Sequence, residues 1–236
     1  DDEQYFCGAD SHSCLLMAVV AGREARSVWI AVRHILARTP RRVKRGRGAV
    51  LAKHIFLTGG IQVGKSTLIN SALSRHPGLR LGGFRTLSVY PQADEPLRHV
   101  YMVPASRPDA PCEEANTVGL CHPGQPLRRY PDVFDALGVQ YLTQPEAPDL
   151  VLMDELGTLE GEALRFQAAV LRRLDGRVPV LGVIKPKPSP FLDAIRGRPN
   201  VHIIEVTADN RDSLPEPLDR LLTQALRKTV DGTRRV

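Results

Sequence analysis

The segment HIFLTGGIQVGKSTLINSAL, residues 54–73, places a glycine-rich loop between a short apolar run and a run with helical spacing. Within it, Gly59, Gly64, Lys65 and Ser66 follow the G-x-x-x-x-G-K-S spacing of a phosphate-binding loop, or P-loop. Glycines let backbone N–H groups turn towards phosphate oxygens without a Cβ in the way. The helix that follows directs the positive end of its dipole at the same anion. The spacing therefore predicts nucleotide binding by the whole loop: Gly59, Gly60, Ile61, Gln62, Val63, Gly64, Lys65, Ser66 and Thr67.

Two residues of this loop have specific chemical roles in the prediction. Lys65 supplies a mobile cation for the β- and γ-phosphates and is predicted to be catalytic, and Ser66 offers its hydroxyl to magnesium. Gln62 stands where many P-loops have glycine, which predicts a stiffer or differently hydrated loop. The alternative is a glycine turn that merely precedes a lysine, but the spacing and the flanking runs both favour the P-loop.

A second candidate site follows the apolar run Leu150–Met153. Asp154 then stands at the carboxyl end of a predicted buried strand, where it can hold magnesium, through water. Glu155 comes next and can orient and deprotonate a water aimed at the γ-phosphate. The pair predicts a catalytic base at Glu155 and a metal ligand at Asp154, against the alternative of a strand end with a helix-capping acid.

Several other polar residues are candidates for nucleotide contacts. Lys185 ends the strand predicted after that of Asp154, where it either senses the γ-phosphate or is a solvated lysine. Asn210 and Arg211 follow the last predicted strand and either contact the nucleotide base, cap a helix or form a surface pair. Three arginines could approach the phosphates, and the sequence does not choose among them: Arg85, Arg128 and Arg129. No Asn-Lys-x-Asp guanine signature occurs, so strict specificity for GTP is not supported.

Composition fits an α/β protein that acts outside the membrane. The 236 residues are 42% apolar and 5% aromatic, and no apolar run has the length of a membrane span. The run CLLMAVVAG is too short and lacks a preceding basic segment, so it is a poor secretion signal and a cytoplasmic location is expected. The sequence begins Asp-Asp without Met, which leaves open that its true start is missing.

The net charge of +6 is concentrated at the amino-terminal end. Residues 1–53 hold ten Lys/Arg and five Asp/Glu, a net of +5, which leaves +1 for the remainder. The basic stretch RTPRRVKRGRG either contacts nucleic acid or an acidic partner, or is a solvated linker. We therefore predict two parts: residues 1–48, an extension with an amphipathic helix and a basic linker available to a protein partner, and residues 49–236, the nucleotide-binding domain.

The four cysteines allow two metal sites without requiring either. Cys7, His12 and Cys14 form one group, and Cys112, Cys121 and His122 form another. Neither has the short C-x-x-C spacing typical of zinc or iron–sulfur sites. Reduced, unrelated thiols are the alternative.

The elements that must position these residues alternate between strand and helix after residue 53. Strands are predicted at 150–154, 178–184 and 201–206, and helices at 162–174, 190–197 and 216–228. Such alternation predicts a mostly parallel sheet with helices on both faces. Between 83 and 125 the pattern changes to two β-like pieces, 86–90 and 99–103, with a Pro-, Asp- and Cys-containing loop, which predicts a hairpin insertion.

The sequence resembles the THEP1-type nucleoside-triphosphatases. The resemblance is carried by segments in the same order along residues 53–225: FLTGGIQVGKSTLI, GGFRT, VFDALGV, DLVLMDELGTLE, VPVLGVIK and VTADNRDSLPEPL. It implies a RecA-like P-loop fold and Mg-dependent hydrolysis of nucleoside triphosphates with loose base selectivity. The chain departs from the family at Gln62, at Ser66, where threonine is common, and most of all between Ser88 and Pro131. An arginine role carried by that hairpin therefore cannot be assigned to a particular residue of this sequence.

Three functions are consistent with this reading. The first is a Mg-dependent nucleoside-triphosphatase acting on ATP, GTP or other triphosphates. The second uses the same site to gate assembly or delivery of a protein partner. The third is a nucleotide or small-molecule kinase. The Asp-Glu pair suits water activation better than transfer to an acceptor.

Overall fold

A computed structural model describes residues 53–90, 96–144 and 147–233. The strands are β1 (His54–Thr58), β2 (Leu81–Val89), β3 (Arg98–Pro104), β4 (Thr117–Cys121), β5 (Arg128–Arg129), β6 (Leu150–Leu156), β7 (Val180–Ile184) and β8 (Val201–Glu205). The helices are α1 (Lys65–Ser74), α2 (the consecutive pieces Pro131–Val133, Phe134–Gly138 and Val139–Leu142), α3 (Leu164–Asp175), α4 (Pro190–Arg196) and α5 (Pro215–Thr233). The predicted extension, residues 1–48, lies outside the described residues, as do Cys7, His12 and Cys14.

One eight-stranded sheet organises the described chain, in the order β5-β4-β3-β2-β6-β7-β1-β8. Five neighbouring strands of this order pair in parallel: β2, β6, β7, β1 and β8. On the other side of β2, the strands β3, β4 and β5 continue the sheet with antiparallel pairing. The mostly parallel α/β sheet predicted from the sequence is therefore confirmed. Because the carboxyl ends of parallel strands lie at one edge of a sheet, the segments after β1, β6, β7 and β8 meet there.

Helices cover both faces of the sheet, because successive side chains of a strand point to opposite faces. Phe56 of β1 packs into one apolar cluster, which contains Phe134 of α2 and Phe166 of α3. Its neighbours Ile55 and Leu57 pack into the other cluster, with side chains of α1 and α5. The two layers hold the central strands rigidly, and the loops at their carboxyl ends are positioned by that rigidity.

The predicted hairpin insertion is present but larger than expected. Strand β2 begins at Leu81, where it pairs in parallel with β6, and it runs on to pair with β3. The segment predicted as a Pro- and Cys-containing loop contains β4, which pairs with β3 from Arg98 to Tyr101. The antiparallel strands β3 and β4 of the insertion, with β5 just after it, thus extend the main sheet beyond β2.

Among the described residues, no helix combines the length and apolar character that crossing a lipid bilayer requires.

Candidate functional site

The glycine-rich loop leaves the carboxyl end of β1 and enters α1. Gly59 has φ of 137° and Gly64 has φ of 102°, backbone conformations that side chains strain. A Cβ on Gly59 would lie 2.2 Å from the carbonyl oxygen of Val206, so the loop can pack against the end of β8 only with glycine there. Gln62 also has a positive φ, 60°, which explains why glycine is an alternative at that position. The loop thus adopts the tight turn that its spacing predicts.

The amino terminus of α1 is open to an anion. No side chain caps it, and no acidic residue lies in its first turn, Lys65–Leu68, which the structure describes in full. The first N–H groups of a helix lack intrahelical acceptors, and the helix dipole makes this end positive. Ser66 and Thr67 are exposed in the same turn. The free N–H groups, the positive helix end and the exposed hydroxyl groups all favour a bound phosphate.

Lys65 bends back over the loop. Its Nζ donates a hydrogen bond of 2.9 Å to the carbonyl oxygen of Gly59 and another to that of Gly60. Burial lowers the pKa of Lys65, while the negative charge of nearby Glu155 raises it. The ammonium group is therefore held at the loop by two neutral carbonyl acceptors and lies within electrostatic range of Glu155.

The second half of the site is the carboxyl end of β6. The register between β6 and β7 shifts between Met153 and Leu156, at the position of Asp154 and Glu155. The hydroxyl of Thr86 on β2 fixes this irregular backbone. It accepts a hydrogen bond of 3.2 Å from the N–H of Glu155 and donates one of 3.3 Å to the carbonyl oxygen of Asp154. The Thr86 contact is a feature that the sequence analysis missed.

Asp154 is a buried carboxyl group with one close cation. Burial raises its pKa to about 6, against the opposing effect of Arg85. Arg85 Nη1 lies 3.5 Å from Asp154 Oδ2, and its Nη2 donates to Asn70 Oδ1 at 3.0 Å. The Nε of Arg85 is buried and has no hydrogen-bond partner among the described residues. Arg85 therefore offsets only part of the cost of burying the negative charge of Asp154, and a further positive charge would be stabilised beside this carboxylate.

Glu155 forms an ion pair with Lys185. Lys185 Nζ lies 2.8 Å from Glu155 Oε1, and the two side chains are 35% and 32% exposed. Lys185 follows β7, the strand adjacent to β6. The structure therefore pairs Lys185 with the predicted base, Glu155, whose charge also acts on Lys65.

Glu155 also lines a small polar cavity of about 70 Å³ between β6 and the antiparallel strands. A water molecule occupies roughly 30 Å³ in the liquid, so this volume suits a few waters. The cavity is lined by side chains of both signs and by hydroxyl groups, among them Thr86, Ser88, Arg98, Glu155, Glu160 and Lys185.

Glu160 is a buried acid that the sequence analysis did not single out. It is 1% exposed, and one carboxylate oxygen accepts a hydrogen bond from the N–H of Gly157. Burial raises its pKa to about 7. The available signal was its place at the end of the segment DELGTLE, but neither its spacing nor its residue type predicts a buried position.

The other predicted residues divide into those at the site and those away from it. Arg211 is at the site: its Cδ lies 3.6 Å from the position of a Cβ on Gly64. Asn210 uses its side chain inside its own turn, accepting from the N–H of Thr207 at 2.8 Å and donating to the carbonyl of Glu205 at 2.9 Å.

Of the three candidate arginines, Arg85 alone contacts a site carboxylate among the described residues. Arg128 and Arg129 form the exposed edge strand β5 at the end of the antiparallel part of the sheet. Cys112 and Cys121 are free thiols, and Cys121 Sγ lies 3.3 Å from Arg98 Nη2. Within the described ranges, no group of three or more His, Cys, Asp or Glu side chains is arranged to hold a metal ion.

Comparisons with known proteins identify the family of this chain. The family model described as NTPase matches residues 54–218. The chain is 31% identical over 181 residues to a mouse protein named cancer-related nucleoside-triphosphatase homolog, with 70% of this chain and 93% of the mouse protein covered. It is 30% identical over 173 residues to nucleoside-triphosphatase THEP1 of Methanosarcina acetivorans, with the same coverage of each chain.

Two solved structures share the fold. The solution structure of a human cancer-related nucleoside triphosphatase aligns with a TM-score of 0.55 at 25% identity, covering 73% of this chain and 98% of that one. The crystal structure of THEP1 from Aquifex aeolicus aligns with a TM-score of 0.56 at 23% identity, covering 72% and 98%, and shows likeness of fold alone. The resemblance inferred from the sequence is confirmed, and the chain belongs to the THEP1-type family of P-loop nucleoside-triphosphatases.

Proposed function

We propose that this chain hydrolyses the terminal phosphoanhydride of nucleoside triphosphates in a Mg²⁺-dependent reaction, with Glu155 as the general base. The observation that carries the proposal is the position of the Glu155 carboxylate. It stands at the carboxyl end of β6, within electrostatic range of Lys65, and borders a small polar cavity. A base beside a water-sized space and next to a phosphate cradle is the arrangement that hydrolysis needs.

The P-loop and Lys65 bind the phosphates in this proposal. Backbone N–H groups of the loop and of the first turn of α1 donate to phosphate oxygens. Lys65 exchanges the two loop carbonyls for oxygens of the β- and γ-phosphates, because an anionic acceptor forms a stronger hydrogen bond than a neutral one. Arg211, whose side chain lies over Gly64, is placed to contribute positive charge at the edge of the loop.

Ser66 and Asp154 are the residues that would hold Mg²⁺. A hydroxyl, a carboxylate and phosphate oxygens form the hard oxygen donor set that Mg²⁺ prefers, with water completing the shell. The burial that raises the pKa of Asp154 supports this fit, because a divalent cation compensates a carboxylate that has one cation at 3.5 Å. When bound, the ion neutralises charge that develops on the phosphates.

Glu155 accepts a proton from the attacking water in the chemical step. The water oxygen forms a bond to the γ-phosphorus while the bond from that phosphorus to the bridging oxygen breaks. The products are the nucleoside diphosphate, which keeps the bridging oxygen, and inorganic phosphate. The relatives named nucleoside-triphosphatases and the Asp154–Glu155 pair, which suits water activation, support hydrolysis over the kinase alternative.

Broad base selectivity is part of the proposal. The Asn210 amide is occupied by the backbone of its own turn at both its oxygen and its nitrogen. The Asn210 amide is therefore poorly available to distinguish adenine from guanine.

We also propose that the enzyme acts in the cytoplasm. Residues 1–48 are proposed to contact a protein partner, because they hold most of the excess positive charge.

Phosphate release from a panel of ATP, GTP, CTP and UTP, with Mg²⁺ and with EDTA, tests this function. We expect comparable rates across the panel with Mg²⁺ and loss of turnover in EDTA. Nucleotide consumption only when a sugar or nucleoside acceptor is added would support the kinase instead. Equal rates in EDTA would contradict the assignment of Ser66 and Asp154.

A further inference from the structure

The side chain of Lys185 is built into the site rather than lying on the surface. Its backbone N–H donates to the carbonyl of Leu156 at 2.9 Å, so it extends the pairing of β7 with β6. Its aliphatic stem crosses Gly157: a Cβ there would lie 2.8 Å from Lys185 Cδ. The absence of a side chain at Gly157 therefore allows the Lys185 stem to reach Glu155.

The turn beneath this stem is fixed by Glu160. The carboxylate of Glu160 accepts from the N–H of Gly157, and its side chain is buried. The Gln167 amide in turn donates to the carbonyl of Glu160 at 2.8 Å. Lys185 thus has a defined path over a rigid turn, and its ammonium group ends 2.8 Å from Glu155 Oε1.

Two cations of the site are held by internal partners. Lys65 is hydrogen-bonded to the loop carbonyls, and Lys185 is paired with Glu155. Lys65 follows β1 through the P-loop and Lys185 follows β7, the strand beside β1, so both cations lie at the carboxyl edge of the sheet. Two positive charges at one edge favour a multivalent anion between them.

We propose that Lys185 distinguishes a bound triphosphate from a bound diphosphate by exchanging Glu155 for the γ-phosphate. With no γ-phosphate present, Lys185 pairs with Glu155 and occupies the carboxylate that would act as base. When a triphosphate binds, Lys185 contacts the γ-phosphate, and the Glu155 carboxylate becomes available to a water molecule. This inference rests on the proposed function, since it assigns Glu155 as the base.

Equilibrium binding tests the proposal without catalysis. The affinities of ADP and of the non-hydrolysable triphosphate AMPPNP are measured in Mg²⁺ for the wild-type chain, Lys185→Met and Lys187→Met. Lys187 is the matched control, an exposed lysine two residues further along. A hydrogen bond to a charged group is worth a factor of about 10 to 100 in affinity. We expect Lys185→Met to weaken AMPPNP by about tenfold or more and to change ADP by no more than about twofold.

Two results would overturn the proposal. Equal weakening of ADP and AMPPNP would make Lys185 a structural residue, and wild-type affinity for both ligands would show that Lys185 does not contact the γ-phosphate. Lys185→Gln carries the same expectation and replaces Lys185→Met if that variant does not fold. Hydrolysis by Glu155→Gln is measured in parallel: full activity there would refute the proposed function, whereas its loss beside an unchanged affinity ratio would refute this inference alone.

Discussion

The buried carboxyl group of Glu160 makes the stability of this protein depend on pH in a direction that can be measured. Burial raises the pKa of Glu160 to about 7 from its ordinary value of 4.5. Because the folded-state pKa is the higher one, the folded protein binds the proton more tightly than the unfolded chain does. The stabilisation is fully present below pH 4.5 and is lost as the pH rises through 7.

The size of this effect follows from the two pKa values. Between pH 5 and pH 8, the proton on Glu160 changes from mostly bound to mostly released in the folded protein, while the unfolded chain has largely lost it throughout. Each pKa unit corresponds to 1.36 kcal/mol, so the contribution of Glu160 falls by about 2.5 kcal/mol over this range. Glu160→Gln keeps an oxygen acceptor for the N–H of Gly157 and cannot ionise, so the variant lacks this term.

Urea unfolding of the wild-type chain, Glu160→Gln and Glu162→Gln at pH 5 and pH 8 measures the difference. Asp154 and the other acids contribute equally to all three chains and cancel. We expect Glu160→Gln to gain about 2.5 kcal/mol relative to wild type on going from pH 5 to pH 8, with Glu162→Gln, at an exposed position, changing little. A wild-type minus Glu160→Gln difference that is the same at both pH values would refute the burial of an ionisable Glu160.

Three further predictions concern other parts of the fold. His54 is fully buried and its pKa is lowered to about 4 from 6.5, so its contribution to stability is present above pH 6.5 and is lost as the pH falls. Between pH 7.5 and pH 4.5, urea unfolding should show the wild-type chain losing about 2.5 kcal/mol of stability relative to His54→Leu. Equal losses in the two chains would contradict this. Gly59→Ala places a Cβ 2.2 Å from the Val206 carbonyl oxygen and should weaken AMPPNP binding at least ~10-fold. Gly124 also has a positive φ but open surroundings, so the control Gly124→Ala should bind AMPPNP as the wild-type chain does. Wild-type affinity in Gly59→Ala would refute the loop geometry. Removing residues 1–48 should leave a folded chain with basal phosphate release, because the family match begins at residue 54; a folded but inactive product would make the extension part of the catalytic domain.

The conformation of the glycine-rich loop and the position of the Asp154–Glu155 pair were predictable because both depend on local spacing. The P-loop is defined by two glycines with four residues between them, followed by Lys65 and Ser66, and the Asp154–Glu155 pair follows four apolar residues. These local patterns fix both the element type and the end of the element that carries the polar residues. The parallel sheet then brings the two segments to one edge, as the strand–helix alternation indicated.

The full extent of β2 was not predictable, because its first residues look unfavourable for a strand. Gly82 and Gly83 are poor strand formers, so the sequence suggested β structure only from Thr86. In the fold these glycines are needed for close packing. A Cβ on Gly83 would lie 2.0 Å from the Leu152 carbonyl, and one on Gly82 would lie 2.7 Å from Pro148 Cγ. Tertiary packing decides the element here, against local propensity.

The contacts that adjust the site were also beyond local patterns. Lys185 and Glu155 stand thirty residues apart, and their pairing depends on β6 and β7 being neighbours and on the missing side chain at Gly157. Glu160 is charged and polar by residue type, and its burial follows from the packing of α3 and the antiparallel strands around it. The sequence placed Lys185 at a strand end but left its role open between phosphate sensing and solvation.

The central claim is that Glu155 activates water while the P-loop binds the phosphates, and Glu155→Gln separates the two roles. AMPPNP affinity and single-turnover phosphate release from ATP are measured in Mg²⁺ for the wild-type chain, Glu155→Gln and the control Glu162→Gln. Loss of a general base lowers the rate by a factor of about 10² to 10⁴. We predict phosphate release at least ~100-fold slower in Glu155→Gln, with AMPPNP affinity within about threefold of wild type. Wild-type hydrolysis, or a loss of affinity as large as the loss of rate, would contradict the claim.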